Sequence, residues 1–149
     1  MELPKSSEEL HSRISELMKR TRTKHDDALP AMLKPEIISA NLDEQSVILA
    51  FEAQSWQRNF AGMMHGGITA SILDTSIGYL CYGFVGGPPL TASLTVNYLR
   101  PGPISGKAYV RVTLTKLGKT LLFGRAEMYL PETPGKILAT AGASYIIVK

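Results

Sequence analysis

The sequence is poor in the residues from which metal and redox sites are built. It has one cysteine, Cys81, and three histidines among 149 residues. A single cysteine excludes an internal disulfide and fits a reducing compartment. The histidines lie at positions 11, 25 and 65, and no cysteine or carboxylate stands beside His65 at ligand spacing. We therefore expect neither a metal site nor a bound cofactor.

The sequence also has little net charge. Its net charge of +3 is spread along the chain without a basic run, so composition gives no support to nucleic-acid binding. The first thirty residues are charged throughout, which argues against a signal peptide or a membrane span. We expect a cytoplasmic protein with one structural domain, comprising an N-terminal helix and linker at 1–34 and a main domain at 35–149.

Charge is scarcest in the middle of the chain. The 41 residues from 59 to 99 contain no Lys, Arg or Glu, and Asp74 is their only acid. Burying an unpaired carboxylate costs several kcal/mol, so such a residue usually has a hydrogen-bonding partner or a chemical task.

The segment around Asp74 has the periodicity of a buried helix from His65 to about Tyr82. Asp74 shares its stripe with small side chains, which leaves space for a ligand or another backbone. Gly66 and Gly67 stand where the helix begins, and their N–H groups lie at the positive end of the helix dipole. A carbonyl oxygen bound there would be polarised, as in an oxyanion hole.

The remaining pattern predicts strands around this helix. Residues 6–24 form an amphipathic helix with Ser6 and Glu9 as a capping box, and 83–89 is read as a loop because of its glycines and prolines. Alternation predicts six strands. These cover 37–42, 47–53, 90–98, 107–116, 120–130 and 137–148. A mostly antiparallel sheet wrapped round one long helix would bury both, which gives an α+β fold.

Several motifs together resemble one family. They are Asn59-x-x-Gly62-x-x-His65-Gly66-Gly67, an Asp nine residues after the His, TASLTVNYLRP at 91–101 and GKTLLF at 118–123. This pattern resembles the hotdog-fold thioesterases of the phenylacetate-pathway (PaaI-like) and acyl-CoA thioesterase-13 type. The resemblance covers roughly 35–148 and implies a hotdog fold, in homodimers or dimers of dimers with active sites at the dimer interface.

The resemblance also implies a reaction, hydrolysis of an acyl-CoA thioester. Asp74 would act as general base or as nucleophile, and we favour the base. The Gly66 N–H would polarise the carbonyl, Asn59 would orient the water or the carbonyl, and Thr91 would position the water. Asp74 and Thr91 would come from one subunit, and Asn59 and Gly66 from its partner.

Each assignment has a structural alternative. Asp74 could be a purely structural acid that accepts hydrogen bonds from backbone groups. His65 and Gly67 are candidates for contact with the substrate, but His65 could instead hold the loop in place. Ser93 competes with Thr91 for the polar role on its strand. Arg100, Lys116 and Lys119 are candidates for the phosphates of coenzyme A, although surface lysines are more often simply solvated.

Two other functions remain open from the sequence. A hotdog dehydratase or hydratase is the nearest rival enzyme, but its Asp-x-Asn-Pro-x-x-His motif is missing. A non-catalytic acyl-CoA sensor would keep the pocket without turnover. The acyl group, and the choice between coenzyme A and an acyl carrier protein, are not determined by the sequence.

Overall fold

The computed structural model describes residues 2–148, which form three α-helices, one short 3₁₀ helix (Ser55–Gln57) and six strands. The helices are α1 (Ser7–Lys24), α2 (Leu29–Met32) and α3 (Gly66–Val85). The strands are β1 (Glu36–Asn41), β2 (Ser46–Glu52), β3 (Pro89–Tyr98), β4 (Lys107–Leu117), β5 (Leu121–Leu130) and β6 (Thr133–Ile147). The six predicted strands and both long helices are confirmed; the single turn of α2 was not predicted.

The strands form one antiparallel sheet in the order β1-β2-β4-β5-β6-β3. Strand β3, which follows α3 in the chain, crosses to the far edge and pairs with β6. Within residues 2–148, one side of β3 is therefore an edge without a neighbouring strand, and β3 contacts the helix that carries Asp74.

Helix α3 lies against the inner face of the sheet and forms the centre of the core. Ile72, Leu73, Ile77 and Leu80 are fully buried there, together with inward-facing side chains of the strands such as Leu49 and Val110. By length and composition alone α3 could cross a membrane, but 56% of its most apolar window is buried inside the protein. Its hydrophobicity is explained by this packing.

Helix α1 covers the side of α3 that the sheet leaves open. Ser6 caps α1 by accepting from the Glu9 N–H at 3.1 Å, as predicted, while the Glu9 carboxylate accepts from the Lys5 N–H rather than closing the box on Ser6. Leu10 and Ile14 are fully buried against α3. The helix is therefore part of the core.

The loop predicted at 83–89 is wrong in its first part, because α3 continues to Val85 and ends at Gly86 with φ of 70°. Gly83 is a site of close approach between helices. A Cβ at Gly83 would lie 2.7 Å from Leu10 Cδ1 on α1. A larger side chain would not fit at this helical position beneath α1.

The last strand also begins earlier than predicted. Thr133 pairs with Leu130, so the turn between β5 and β6 consists of Pro131 and Glu132, whereas the sequence suggested a turn through Gly135. The pairing shifts register near Tyr129. This irregular register accommodates the proline and glycine that interrupt the strand pattern.

Candidate active site

The Asp74 carboxylate is half-buried and held by two hydroxyl groups from different strands. Thr91 Oγ1 on β3 donates to Asp74 Oδ1 at 2.9 Å, and Tyr145 Oη on β6 lies 2.5 Å from the same oxygen. The other oxygen, Oδ2, accepts no hydrogen bond from the described residues. The carboxylate is thus anchored through one oxygen, and the second remains available to a water or a substrate.

An irregularity in β3 gives Thr91 this position. Strict alternation predicts Thr91 and Ser93 on one face and Leu90 with Leu94 on the other. In the structure Thr91 pairs with Tyr145 and Ser93 with Ser144, so Ala92 is an extra residue that forms a β-bulge. The bulge turns Thr91 towards α3, and the predicted faces are wrong before this point.

Ser93 lies on the opposite face of the sheet from Asp74. Its hydroxyl is 2.7 Å from that of Ser144, the neighbour of Tyr145 on β6. Successive residues of a strand point to opposite faces, so Ser93 and Ser144 share the outer surface. Of the two hydroxyls that the sequence left open, Thr91 is the one in contact with Asp74.

Tyr145 was missed by the sequence analysis. It lies on β6 after three alternating alanines at 139, 141 and 143, and its side chain is only 2% exposed. Burial, then the hydrogen bond to Asp74, raise the pKa of Tyr145 far above its usual value, so the hydroxyl remains protonated. The sequence did contain a clue: Tyr145 continues the face of β6 formed by the alternating alanines, and the hydroxyl of a buried tyrosine needs a hydrogen-bonding partner.

The start of α3 forms the second part of the site. His65 is the N-cap, and its Nδ1 accepts from the Gly67 N–H at 2.8 Å. Nδ1 therefore carries no proton, and the ring proton is on Nε2. The Gly67 N–H is occupied, while the Gly66 N–H makes no hydrogen bond to any described residue. Of the two glycines, Gly66 is the one with an available donor.

Asn59 organises the loop before the helix. Its Oδ1 accepts from the N–H groups of Ala61 and Met63, at 2.9 and 3.1 Å. The oxygen of the side-chain amide is therefore used within the loop. Only the NH₂ group of Asn59 is available to a ligand, so any contact with a water or a carbonyl would be a donated hydrogen bond.

Tyr98 connects β3 to the start of α3 and was also missed. Its hydroxyl donates to the Gly66 carbonyl oxygen at 2.6 Å, and its ring lies beside the Gly66 Cα. Nothing in the local sequence signals this contact. Strand β3 therefore touches both parts of the site, with Thr91 at Asp74 and Tyr98 at Gly66.

The two parts of the site open into different clefts. The Asp74 cleft, of about 320 Å³, is bounded by Leu17 and Arg20 of α1, Tyr79 and Tyr82 of α3, and Pro89. The Gly66 cleft, of about 310 Å³, includes Asn59, Gly66 and Tyr98. Gly66 and Asp74 are eight residues apart in α3, about 12 Å along the helix axis. One chain does not bring the carboxylate and the available N–H to the same point.

The three candidate phosphate ligands are dispersed. Arg100 borders the Gly66 cleft, and its guanidinium donates to the Ile137 carbonyl oxygen at 2.6 Å. Lys116 lies 5.8 Å from the centre of the Phe123 ring on the outer face of the sheet. Lys119 lies in the β4–β5 turn, and neither lysine borders either cleft. Contacts of these residues with a coenzyme remain predictions.

Other reactive groups contribute little to the site. Burial, then the charge of Asp74, raise the pKa of Cys81 to about 12, so its thiol is protonated and unreactive near neutral pH. Within residues 2–148, no three His, Cys, Asp or Glu side chains are grouped so that they could hold a metal ion.

The architecture and these clefts define a hotdog-fold domain, and comparison with known proteins assigns its family. The model of the thioesterase superfamily matches residues 61–135, which include α3, β3 and Asp74. This match spans half of the sequence. The chain belongs to the thioesterase superfamily.

Named relatives agree with this family. The chain is 30% identical over 87 residues to acyl-coenzyme A thioesterase THEM4 of Bos taurus, covering 58% of this chain and 35% of that protein. It is 26% identical over 97 residues to acyl-coenzyme A thioesterase 13 of Mus musculus, covering 64% and 68% of the two chains. The match thus spans about a third of the bovine protein.

Solved structures confirm the hotdog fold. The E. coli PaaI protein from the phenylacetic acid degradation operon superposes with a TM-score of 0.80 at 20% identity, covering 96% of each chain. Thioesterase superfamily member 2 from Mus musculus superposes with a TM-score of 0.76 at 23% identity, covering 92% of this chain and 96% of that one. The N-terminal helix lies within the matched part of the PaaI comparison, which leaves out only 4% of this chain.

Proposed function

We propose that this protein hydrolyses acyl-CoA thioesters to the free acid and coenzyme A. The observation that carries the proposal is the arrangement of Asp74, whose Oδ1 is held by Thr91 and Tyr145 while Oδ2 makes no hydrogen bond to the described residues. Because Asp74 lines the cleft, a carboxylate fixed through Oδ1 has Oδ2 available to a water or a substrate there. The names of the relatives support the same reaction.

In the mechanism that we favour, Asp74 Oδ2 accepts a proton from a water molecule as the water oxygen attacks the thioester carbonyl carbon. The carbonyl oxygen becomes an oxyanion, which the Gly66 N–H stabilises. The intermediate then collapses, the carbon–sulfur bond breaks, and the leaving thiolate recovers the proton from Asp74. Asn59 can assist only as a donor, through its amide NH₂.

The alternative is covalent. Asp74 Oδ2 would attack the carbonyl carbon, release the coenzyme A thiolate and form a mixed anhydride that water then hydrolyses. Both routes need the same uncommitted oxygen. We favour the base because the fixed carboxylate can hold a water in the open cleft.

A complete site requires two copies of the chain. A general base acts within hydrogen-bond reach of the attacking water, and reacting atoms lie about 3–3.5 Å apart. Gly66 and Asp74 of one chain are about 12 Å apart along α3, so they cannot serve the same carbonyl. We infer that Asp74 and Thr91 of one copy act with Asn59 and Gly66 of another.

The free edge of β3 supports this assembly. Its ten residues, Pro89–Tyr98, include no charged side chain that would oppose pairing with another strand. Antiparallel pairing of two β3 strands about a two-fold axis would place Thr91 of one copy near Tyr98 of the other. Because Thr91 contacts Asp74 and Tyr98 contacts Gly66, such a dimer brings the two parts together. Dimers of dimers would use other faces.

The test is release of free thiol from aryl, medium-chain and long-chain acyl-CoA thioesters. We expect Asp74→Asn, which removes the charge with little change in volume, to lower kcat by at least about 10²-fold. Asp43→Asn makes the same change in the exposed β1–β2 turn and should behave as wild type.

The outcomes separate the functions that the sequence left open. Loss in Asp74→Asn with normal folding supports the hydrolase, and the best substrate then identifies the acyl class. Equally slow hydrolysis by wild type and Asp74→Asn would overturn the proposal. Thermal stabilisation by acyl-CoA without turnover would then favour the non-catalytic sensor.

A further inference from the structure

The Tyr145 hydroxyl has two acceptors, and both belong to Asp74. Tyr145 Oη lies 2.5 Å from the carboxylate Oδ1 and 2.6 Å from the Asp74 backbone carbonyl oxygen. A hydroxyl has one proton, so it donates to one of these oxygens at a time. The tyrosine therefore contacts both the backbone and the side chain of the residue proposed to act on water.

The ring that carries this hydroxyl has little freedom to move. Tyr145 is 2% exposed, and its strand is hydrogen-bonded on both sides, to β3 and to β5. The ring also lies beside Gly78, one turn after Asp74 on α3, where an added Cβ would meet it at 3.8 Å. The hydroxyl is consequently a fixed point against which the carboxylate can be oriented.

Two donors on one oxygen determine how the carboxylate faces the cleft. Thr91 Oγ1 and Tyr145 Oη approach Oδ1 from neighbouring strands, so rotation of the carboxylate would break both hydrogen bonds. A hydrogen bond to an ionised carboxylate is stronger than one to a neutral acceptor such as a backbone carbonyl oxygen. This favours the arrangement in which Oδ1 is occupied and Oδ2 is available to accept a proton from water.

We propose that Tyr145 is a positioning residue for the hydrolysis, holding the Asp74 carboxylate so that Oδ2 faces the cleft. The inference rests on the proposed function. Tyr145 acts through Asp74 and transfers no proton to or from substrate. Its contribution should therefore appear in kcat, disappear when Asp74 is replaced, and leave substrate binding nearly unchanged.

The test compares Tyr145→Phe with wild type by thiol release from the best acyl-CoA substrate. We expect kcat to fall by about tenfold to 10²-fold, the effect of a misplaced reacting group, with KM within about twofold. Tyr129→Phe is the matched control, because Tyr129 is also a buried tyrosine, 4% exposed, and borders neither cleft. It should retain wild-type kcat.

A double variant distinguishes positioning from a general structural role. Adding Tyr145→Phe to Asp74→Asn should cause little further loss, since groups that act as a unit are non-additive. A further loss as large as that of Tyr145→Phe alone would overturn the inference. So would wild-type kcat in Tyr145→Phe when Asp74→Asn is inactive, and in that case the proposed function would stand.

If wild type and Asp74→Asn do not differ, the proposed function fails, and this inference fails with it. If Tyr145→Phe does not fold, Tyr145 can be replaced by 4-aminophenylalanine, which keeps a donor, and by 4-fluorophenylalanine, which does not. Activity with the amino group and loss with the fluoro group support positioning. Equal activities of these two proteins would contradict it.

Discussion

The Gly66 N–H offers the sharpest test of the proposed oxyanion site. It is the first N–H of α3, and it makes no hydrogen bond to the described residues. The next three N–H groups all donate to His65. The Gly67 N–H donates to Nδ1, and the N–H groups of Ile68 and Thr69 donate to the backbone carbonyl oxygen. If a carbonyl is polarised at this helix end, Gly66 is therefore its donor.

Gly66→Pro removes this N–H with little other change. Proline is well accommodated at the first position of a helix, where its missing N–H has no helical partner. The preceding residue, His65, has φ of −63° and ψ of 135°, an extended conformation that a following proline requires. A Cβ at Gly66 would meet the Tyr98 hydroxyl at 3.4 Å, an ordinary contact. We expect stability to change by no more than about 1 kcal/mol.

The expected effect on catalysis is much larger. Loss of one oxyanion donor lowers kcat by about 10²-fold to 10³-fold, or about 2.7–4 kcal/mol of transition-state stabilisation. Gly66→Ala is the matched control, because it adds the same Cβ beside Tyr98 and keeps the N–H. Thiol release at saturating acyl-CoA, with thermal unfolding of all three proteins, measures both quantities.

The comparison of the two variants can refute the reasoning. Equal activity in folded Gly66→Pro and Gly66→Ala would mean that the carbonyl is polarised elsewhere. Equal and large losses in both variants would assign the effect to the Cβ contact with Tyr98 instead of the N–H.

Two further predictions concern assembly and alkaline pH. Asp74→Asn and Gly66→Pro each lose at least about 10²-fold in activity alone. Unfolded together and refolded, they should recover about a quarter of wild-type activity, because half of the dimers are mixed and each mixed dimer has one intact site; no recovery would contradict a site shared between two copies. The pKa of Cys81 is about 12 in the folded protein against 9.0 for a free thiol, so above pH 9 the unfolded chain releases a proton that the folded chain keeps. The free energy of unfolding should therefore fall as pH rises from 9 towards 12, and Cys81 should account for up to roughly 4 kcal/mol of this fall. Urea unfolding between pH 8 and 11 should show a weaker decline for Cys81→Ala, and identical slopes would contradict the burial argument.

Local sequence patterns predicted the elements because each depends on nearby residues. The apolar stripe of α1, the continuous hydrophobicity of α3 and the alternation in β4 and β5 all correspond to observed faces. Errors occurred at the ends of elements, where pairing and packing between elements decide where each one stops. Helix α3 continues through Gly83, on which Leu10 of α1 packs closely, and β6 begins at Thr133, which pairs with Leu130 of β5.

The candidate site was likewise only partly predictable from the sequence. Asp74 stood out by its isolation in an apolar segment, and Gly66 by its place at a helix start. The choice between Thr91 and Ser93 could not be made from alternation, because the bulge at Ala92 reverses the faces and arises from the register with β6. The sequence could not show that the Gly67 N–H is already hydrogen-bonded, because that bond depends on the orientation of the His65 ring.

The sequence by itself determined that a single carboxylate lies on a buried helix behind a glycine pair, and that a sheet surrounds this helix. Only the tertiary structure decided which atoms meet that carboxylate. Tyr145 is 71 residues away along the chain and reaches Asp74 because β6 pairs beside β3. Periodicity reports the face of an element, whereas register and packing between distant elements select the partner on that face.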